Sequence, residues 1–286
     1  MDSVSAESFR VLQYLPDPKT STPFQGRGLV VGYVQSGKTA NYTAVAARAV
    51  DAGYRMVIVL SGTHDSLRNQ TQNRLERELV GDQSIDLHGF NHSREWVTLT
   101  TPTEDFQVQK ENILQSTGPF LAVVKKNVPV LQKLDRWLES SEQFLDDLPV
   151  LIIDDEADQA SINTKGNRPF DATVGDEDDE DETLAPSRTN ALIRSILKRT
   201  KKAAYIAYTA TPFANILINP EAVDRHVGED LFPKDFVIQL PRPKGYTGTE
   251  ELFGVSAQGR DVLQTVAEED VGIAGSPQTS KDRDHP

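Results

Sequence analysis

The sequence predicts an α/β fold, with one parallel sheet and helices packed on both of its faces. Three observations carry this expectation. Short apolar runs alternate with amphipathic stretches from Gly28 to Leu240. Several of those runs are continuously apolar rather than alternating, which marks strands covered on both sides. Strand–helix repetition over this length joins parallel strands by right-handed crossovers.

The elements follow in order. Residues 1–23 are mostly polar, become rich in Pro, Asp, Ser and Thr from Pro16 to Pro23, and read as an N-terminal arm. Residues 28–34 (GLVVGYV) read as a first buried strand and 38–50 as an Ala-rich helix. A second strand is expected at 55–60 (RMVIVL), a polar helix at 66–79 and a third strand at 96–100. Residues 120–124 (FLAVV) form a fourth strand. They precede a helix at 128–138 with apolar Val130, Leu131, Leu134 and Leu138 at helical spacing. Strands at 150–153, 203–208 and 236–240 and a helix at 190–197 complete the set. The expected domain covers 24–246. It is interrupted by a polar insert at 163–187 whose core, 176–182 (DEDDEDE), repels itself and is expected to be disordered. Residues 247–286 read as a flexible C-terminal tail.

Composition excludes several classes of function. The 286 residues contain no cysteine, so disulfide scaffolds, thiolate metal sites and cysteine nucleophiles are ruled out. Asp and Glu number 43 against 30 Lys and Arg, a net charge of −13, which excludes a uniformly basic nucleic-acid coat but not a basic groove. The acidic block alone supplies more than half of that charge. No apolar run approaches the roughly 20 residues needed to cross a bilayer, and 1–7 carry no basic-then-apolar leader. A cytoplasmic protein is expected. His88 and His92 lack an evident third ligand, so no zinc site is expected.

Three motifs carry chemistry. Gly32-Tyr33-Val34-Gln35-Ser36-Gly37-Lys38-Thr39 fits G-x-x-x-x-G-K-[ST] between an expected strand and an expected helix. In such a loop Gly32, Gln35, Ser36 and Gly37 wrap phosphate oxygens, Lys38 reaches the β- and γ-phosphates, and the Thr39 hydroxyl ligates Mg²⁺. The cofactors implied are ATP and Mg²⁺. The second motif, Leu151-Ile152-Ile153-Asp154-Asp155-Glu156-Ala157-Asp158, ends a strand in carboxylates. Strand C-termini line the ligand crevice of such sheets. Asp155 is the expected Mg²⁺ acid, although Asp154 stands beside it and sequence alone does not separate the two. Glu156 would orient and deprotonate the attacking water, and Asp158 would bridge to the third motif. That motif is Tyr208-Thr209-Ala210-Thr211-Pro212, in which Thr209 and Thr211 can hydrogen-bond the acids and couple nucleotide state to a neighbouring surface. Thr63 and Arg68 after the second strand, and Lys125 and Lys126 after the fourth, suit phosphate contacts from nucleic acid.

With these residues in this order, the chain resembles the first motor lobe of superfamily-two helicases, a RecA-like P-loop NTPase fold. More narrowly, it is similar to the bacterial Z-one domain family, whose members carry an endonuclease label. The matching stretches are RGLVVGYVQSGKTANYT (27–43), SGTHDSLRNQTQNRL (61–75), VVKKN (123–127), LIIDDEADQASINT (151–164), YTATPFAN (208–215) and DLFPKDFVIQL (230–240). The resemblance implies a nucleic-acid-linked ATPase of restriction-like or phage-defence systems, with DNA as the expected partner. Family members carry a second motor lobe with arginines that complete the ATP site, and the stretch after Leu240 is too short for one. The resemblance then leaves open whether this chain hydrolyses ATP by itself or completes hydrolysis and translocation with that lobe or a partner nuclease. Two rival readings are a non-catalytic nucleotide-dependent regulator of a partner nuclease and a Mg²⁺-dependent endonuclease using Asp154, Asp155 or Asp158. A small-molecule kinase is disfavoured, since no Arg-rich lid is visible.

Deleting 176–182 is expected to leave yield and melting temperature unchanged. Loss of soluble protein on that deletion would contradict the reading of the block.

Overall fold

The computed structural model describes residues 2–34, 36–81, 95–162, 185–221, 223–224, 228–243 and 245–248. The chain divides into two compact units, Met1–Arg242 and Pro243–Pro286. In the second, the Tyr246 amide closes a turn on the Pro243 carbonyl at 3.1 Å.

The first unit is α/β. Its elements are α1 (Asp2–Leu12), β1 (Phe24–Val31), α2 (Lys38–Ala52), β2 (Met56–Ser61), α3 (Asp65–Leu75), β3 (Val97–Thr98), β4 (Phe120–Lys125), α4 (Val128–Ser140), α5 (Glu142–Leu145), β5 (Val150–Asp155), α6 (Ala185–Arg199), β6 (Lys202–Thr209), α7 (Phe213–Ile216), β7 (Val223–Asp224), β8 (Gly228–Glu229) and β9 (Phe236–Gln239). Seven strands form one sheet in the order β3-β4-β2-β5-β6-β1-β9, and every pairing in it is parallel. β7 and β8 form a separate antiparallel pair.

The continuous apolar runs divide by parity, because successive side chains of a strand point to opposite faces. In β2, Met56, Ile58 and Leu60 join Leu131, Leu134 and Trp137 of α4 and Ile193 and Ile196 of α6 in one core. Val57 and Val59 join Val45, Ala46 and Ala49 of α2 and Leu75 of α3 in the other. A strand that must feed two cores has no polar face, which is why these runs do not alternate.

Two expectations are corrected. The N-terminal arm is not a free lead-in: 2–12 form α1, which packs on α2. Val11 is fully buried, Arg48 donates to Ser8 and Ser5, and the Tyr54 hydroxyl donates to the Pro16 carbonyl. The polar helix expected at 66–79 ends at Leu75 and passes into a π turn, Glu76–Val80, in which the Gly81 amide reaches the Glu76 carbonyl at 2.9 Å. α6 begins at Ala185, inside the expected end of the acidic insert. Residues 163–184 and the tail from 249 lie outside the described residues.

One buried cation ties β4 to β5. Lys126 Nζ is fully buried and donates to Asp154 Oδ1 at 2.9 Å, the Asp155 carbonyl at 2.7 Å and the Glu156 carbonyl at 2.8 Å. An ammonium has three protons to donate, and here each has an acceptor. Tyr205 O–H donates to the other oxygen of Asp154 at 2.5 Å. Lys126→Ala is expected to cost about 3–5 kcal/mol in urea unfolding, because it strands a buried carboxylate. A loss below about 1 kcal/mol would contradict this assignment.

Candidate functional site

The carboxyl ends of the three motif-bearing strands are level. In register, Val31 of β1 pairs with Thr209 of β6, and Tyr208 of β6 with Asp155 of β5. β6 lies between the strand that feeds the Gly-rich loop and the strand that feeds the acids. The loop, the acids and the Thr-x-Thr turn therefore share one edge of the sheet, where ligands of open parallel sheets bind.

The loop 32–37 needs both of its glycines. Gly37 precedes α2 with φ +90°, a conformation that side chains resist. A Cβ on Gly32 would meet Lys38 Cγ at 2.8 Å and Ser36 Oγ at 3.0 Å. Gly37 has no side chain with which to cap α2, so the first-turn amides are left to a ligand. Ser36 Oγ is buried with no hydrogen-bond partner. Lys38 Nζ donates to the Tyr33 carbonyl at 3.1 Å. A polar cradle with an orphaned hydroxyl and a cation folded back on its own loop fits an anionic group such as a phosphate chain.

Parity separates the two aspartates that the sequence left ambiguous. Asp154 shares a face with Ile152 and turns into the α4–α6 core, where Lys126 and Tyr205 hold it. Asp155 shares a face with Leu151 and Ile153, the α2 side, and accepts from Tyr42 O–H at 3.1 Å. Burial pushes the Asp155 carboxyl above its ordinary value. The Tyr42 hydrogen bond opposes that rise, and the Glu156 charge adds to it.

Glu156 follows with φ +57°, a left-handed conformation rare outside glycine. Its carbonyl is held by Lys126 Nζ and by the Gln159 amide at 2.8 Å, which fixes this backbone against its preference. Asp158 accepts from Thr209 O–H and Thr211 O–H, both at 2.6 Å. Partial burial opposes ionisation of Asp158, but the two hydroxyls outweigh it and hold the carboxyl below its ordinary value. Asn215 of α7 donates to the Ala157 carbonyl at 3.3 Å, so α7 hangs on the same acidic loop.

Ser36, Gly37, Lys38, Thr39, Asp155 and Glu156 line one cavity of about 500 Å³. It is also lined by Gly62, beside Glu156, and, from α3, by Leu67, Gln70, Thr71 and Arg74. Among the described residues no cluster of three His, Cys, Asp or Glu side chains could hold a metal. Thr39 and Asp155 are the lining oxygen donors that could hold a magnesium ion.

Of the expected site residues, Gly32, Ser36, Gly37, Lys38, Thr39, Asp155, Glu156, Asp158, Thr209 and Thr211 come together at this edge. Gln35 lies outside the described residues. The nucleic-acid set is corrected. Arg68 is buried and donates to the carbonyls of Val123, Thr101 and Pro102, with Asp105 at 3.8 Å, so it pins the chain before β4 instead of facing a ligand. Lys126 is the buried clamp already described. Lys125 pairs with Asp65 at 2.7 Å, and Thr63 is exposed in the turn after β2. Sequence reasoning missed Tyr42, Gln70, Thr71, Arg74 and Asn215. Tyr42 was within reach: four residues after Lys38 on a helix, it shares that residue's face.

No protein-family profile matches the chain, and no curated protein sequence matches it. Fifteen chains of solved structures match. One is the structure of C. elegans PCH-2, which is 11% identical, with a TM-score of 0.23, over 74% of this chain and 45% of that one. The chain thus spans less than half the length of that structure. Among the described residues no helix is long and apolar enough to cross a membrane.

A raised carboxyl pKa favours the fold below the unfolded value of about 3.9. That contribution is lost as pH rises through the folded value. Asp155→Asn removes the charge and keeps an acceptor for Tyr42. Without metal or nucleotide it is expected to melt higher than wild type at pH 7, with the gap closing as pH falls. A lower melting temperature would contradict the burial of Asp155.

Proposed function

We propose that the chain binds ATP with Mg²⁺ and hydrolyses it, as the nucleotide-binding lobe of a helicase-like, nucleic-acid-linked ATPase. The observation that carries this reading is the cavity. An uncapped, glycine-closed loop with an orphaned serine hydroxyl faces two strand-end carboxylates across a space of nucleotide size.

In this reading Lys38 leaves the Tyr33 carbonyl and turns to the β- and γ-phosphates. The α2 amides and Ser36 hold the phosphate chain. Thr39 and Asp155 would hold Mg²⁺, whose charge neutralises phosphate oxygens. Glu156, fixed in its left-handed turn, orients the attacking water and accepts its proton. Asp158, clasped by Thr209 and Thr211, transmits movement of the acidic loop to α7. There, exposed Phe213 and Leu217 offer an apolar contact for a second lobe or partner.

Connection to DNA rests on the resemblance to the Z-one and helicase families. Thr63 and Lys125 are the rim positions left to serve it. The endonuclease reading loses support because Asp154 is engaged by Lys126 and Tyr205 and Asp158 by two hydroxyls, which leaves one strand-end aspartate for metal.

ATP turnover with and without single- and double-stranded DNA tests the proposal. Wild type is expected to hydrolyse ATP faster with DNA. Glu156→Gln should bind ATP but turn it over at least about 100-fold more slowly. Lys38→Ala should lose binding while keeping the melting temperature of the ligand-free protein. DNA cleavage that needs Mg²⁺ but not ATP, and is lost in Asp155→Asn, would overturn this reading in favour of a nuclease.

A further inference from the structure

We propose that Arg74 of α3 contacts the terminal phosphate of the bound nucleotide, as a cation supplied within the chain, and that Glu78 restrains it when no nucleotide is bound. The inference rests on the ATP reading above.

α3 is a two-sided helix. Arg68, Gln72 and Leu75 are buried and fix it to the sheet side, with Gln72 donating to the Thr100 carbonyl and accepting from its hydroxyl. Leu67, Gln70, Thr71 and Arg74 fall at helical spacing on the other side and line the cavity. The strand order places α3 across β5 and β6 from the Gly-rich loop. A phosphate chain seated on the loop amides must extend its far end toward Asp155 and Glu156 if they are to reach metal and water. The far end is therefore the end nearest α3. Arg74 is the one cation that α3 brings to the cavity lining, beside Lys38 from α2.

Both cations are folded back on nearby acceptors. Lys38 Nζ rests on the Tyr33 carbonyl, and Arg74 Nε on Glu78 Oε1 at 3.0 Å. The Arg74–Glu78 pair is a partly exposed contact within one helix, a weak restraint that phosphate oxygens outcompete. Glu78 also pairs with Arg77 at 3.3 Å, so Arg74 can leave without stranding the carboxylate. Glu78 sits in the π turn that ends α3, and such turns are frequent at functional sites.

The test is equilibrium binding of a non-hydrolysable ATP analogue and of ADP, with Mg²⁺, to the full chain. Arg74→Ala is expected to weaken the ATP analogue about 10-fold or more and leave ADP within twofold. Arg74→Lys should recover part of the loss. Glu78→Gln should tighten the ATP analogue and leave ADP unchanged. Equal losses for both nucleotides, or no loss for either, would overturn the role of Arg74 and leave the ATP site standing. Wild type that binds neither nucleotide would overturn the ATP reading and this inference with it.

Discussion

The site depends on a buried ammonium group. Lys126 places three protons on three acceptors that follow one another along the chain: the Asp154 carboxylate, the Asp155 carbonyl and the Glu156 carbonyl. The carboxylate contact neutralises the cation where no water can. The carbonyl contacts fix the backbone that carries Asp155 and Glu156. A left-handed glutamate is costly by itself, of the order of 1–3 kcal/mol. Here two hydrogen bonds to its carbonyl, from Lys126 and from the Gln159 amide, oppose that cost. The acid that sequence reasoning could mistake for a metal ligand is the one that anchors the acids facing the cavity.

The same economy runs through the sheet. Each central strand feeds two cores, and the helices on the two faces differ in their work. α4 and α6 on one face are bound into the core, and Asp135 of α4 pairs with Arg199 of α6 at 2.7 Å. α2 and α3 on the other face have their inner sides in a core and leave residues at the cavity. The cavity lies over that second face because Asp155, and not Asp154, has its parity.

Much of this was legible in the sequence. Continuous apolar runs marked the central strands to within a few residues, because burial on both faces leaves no other pattern. The glycine-rich loop was legible because its glycines answer a steric demand that no other residue meets. Asp158 was expected to bridge to the threonines, and the hydroxyls of Thr209 and Thr211 both donate to it. What was not legible depended on depth. Arg68 and Lys126 carry the composition of a phosphate-binding rim, yet one holds carbonyls and the other a carboxylate inside the fold. Charge says nothing about which way a side chain turns. α1 was missed because its few apolar residues, Val11 and Leu12 among them, become meaningful only against α2. The contribution of α3 depended on a cavity formed between elements distant in sequence.

The parity of β5 also bears on how such a chain can drift. The stretch Asp154-Asp155-Glu156 tolerates no single-residue insertion or deletion upstream within its strand. A shift by one would turn the buried anchor into the cavity and the cavity acid into the core. Length variation among sequences of this type should therefore be rare within β5, before the acids.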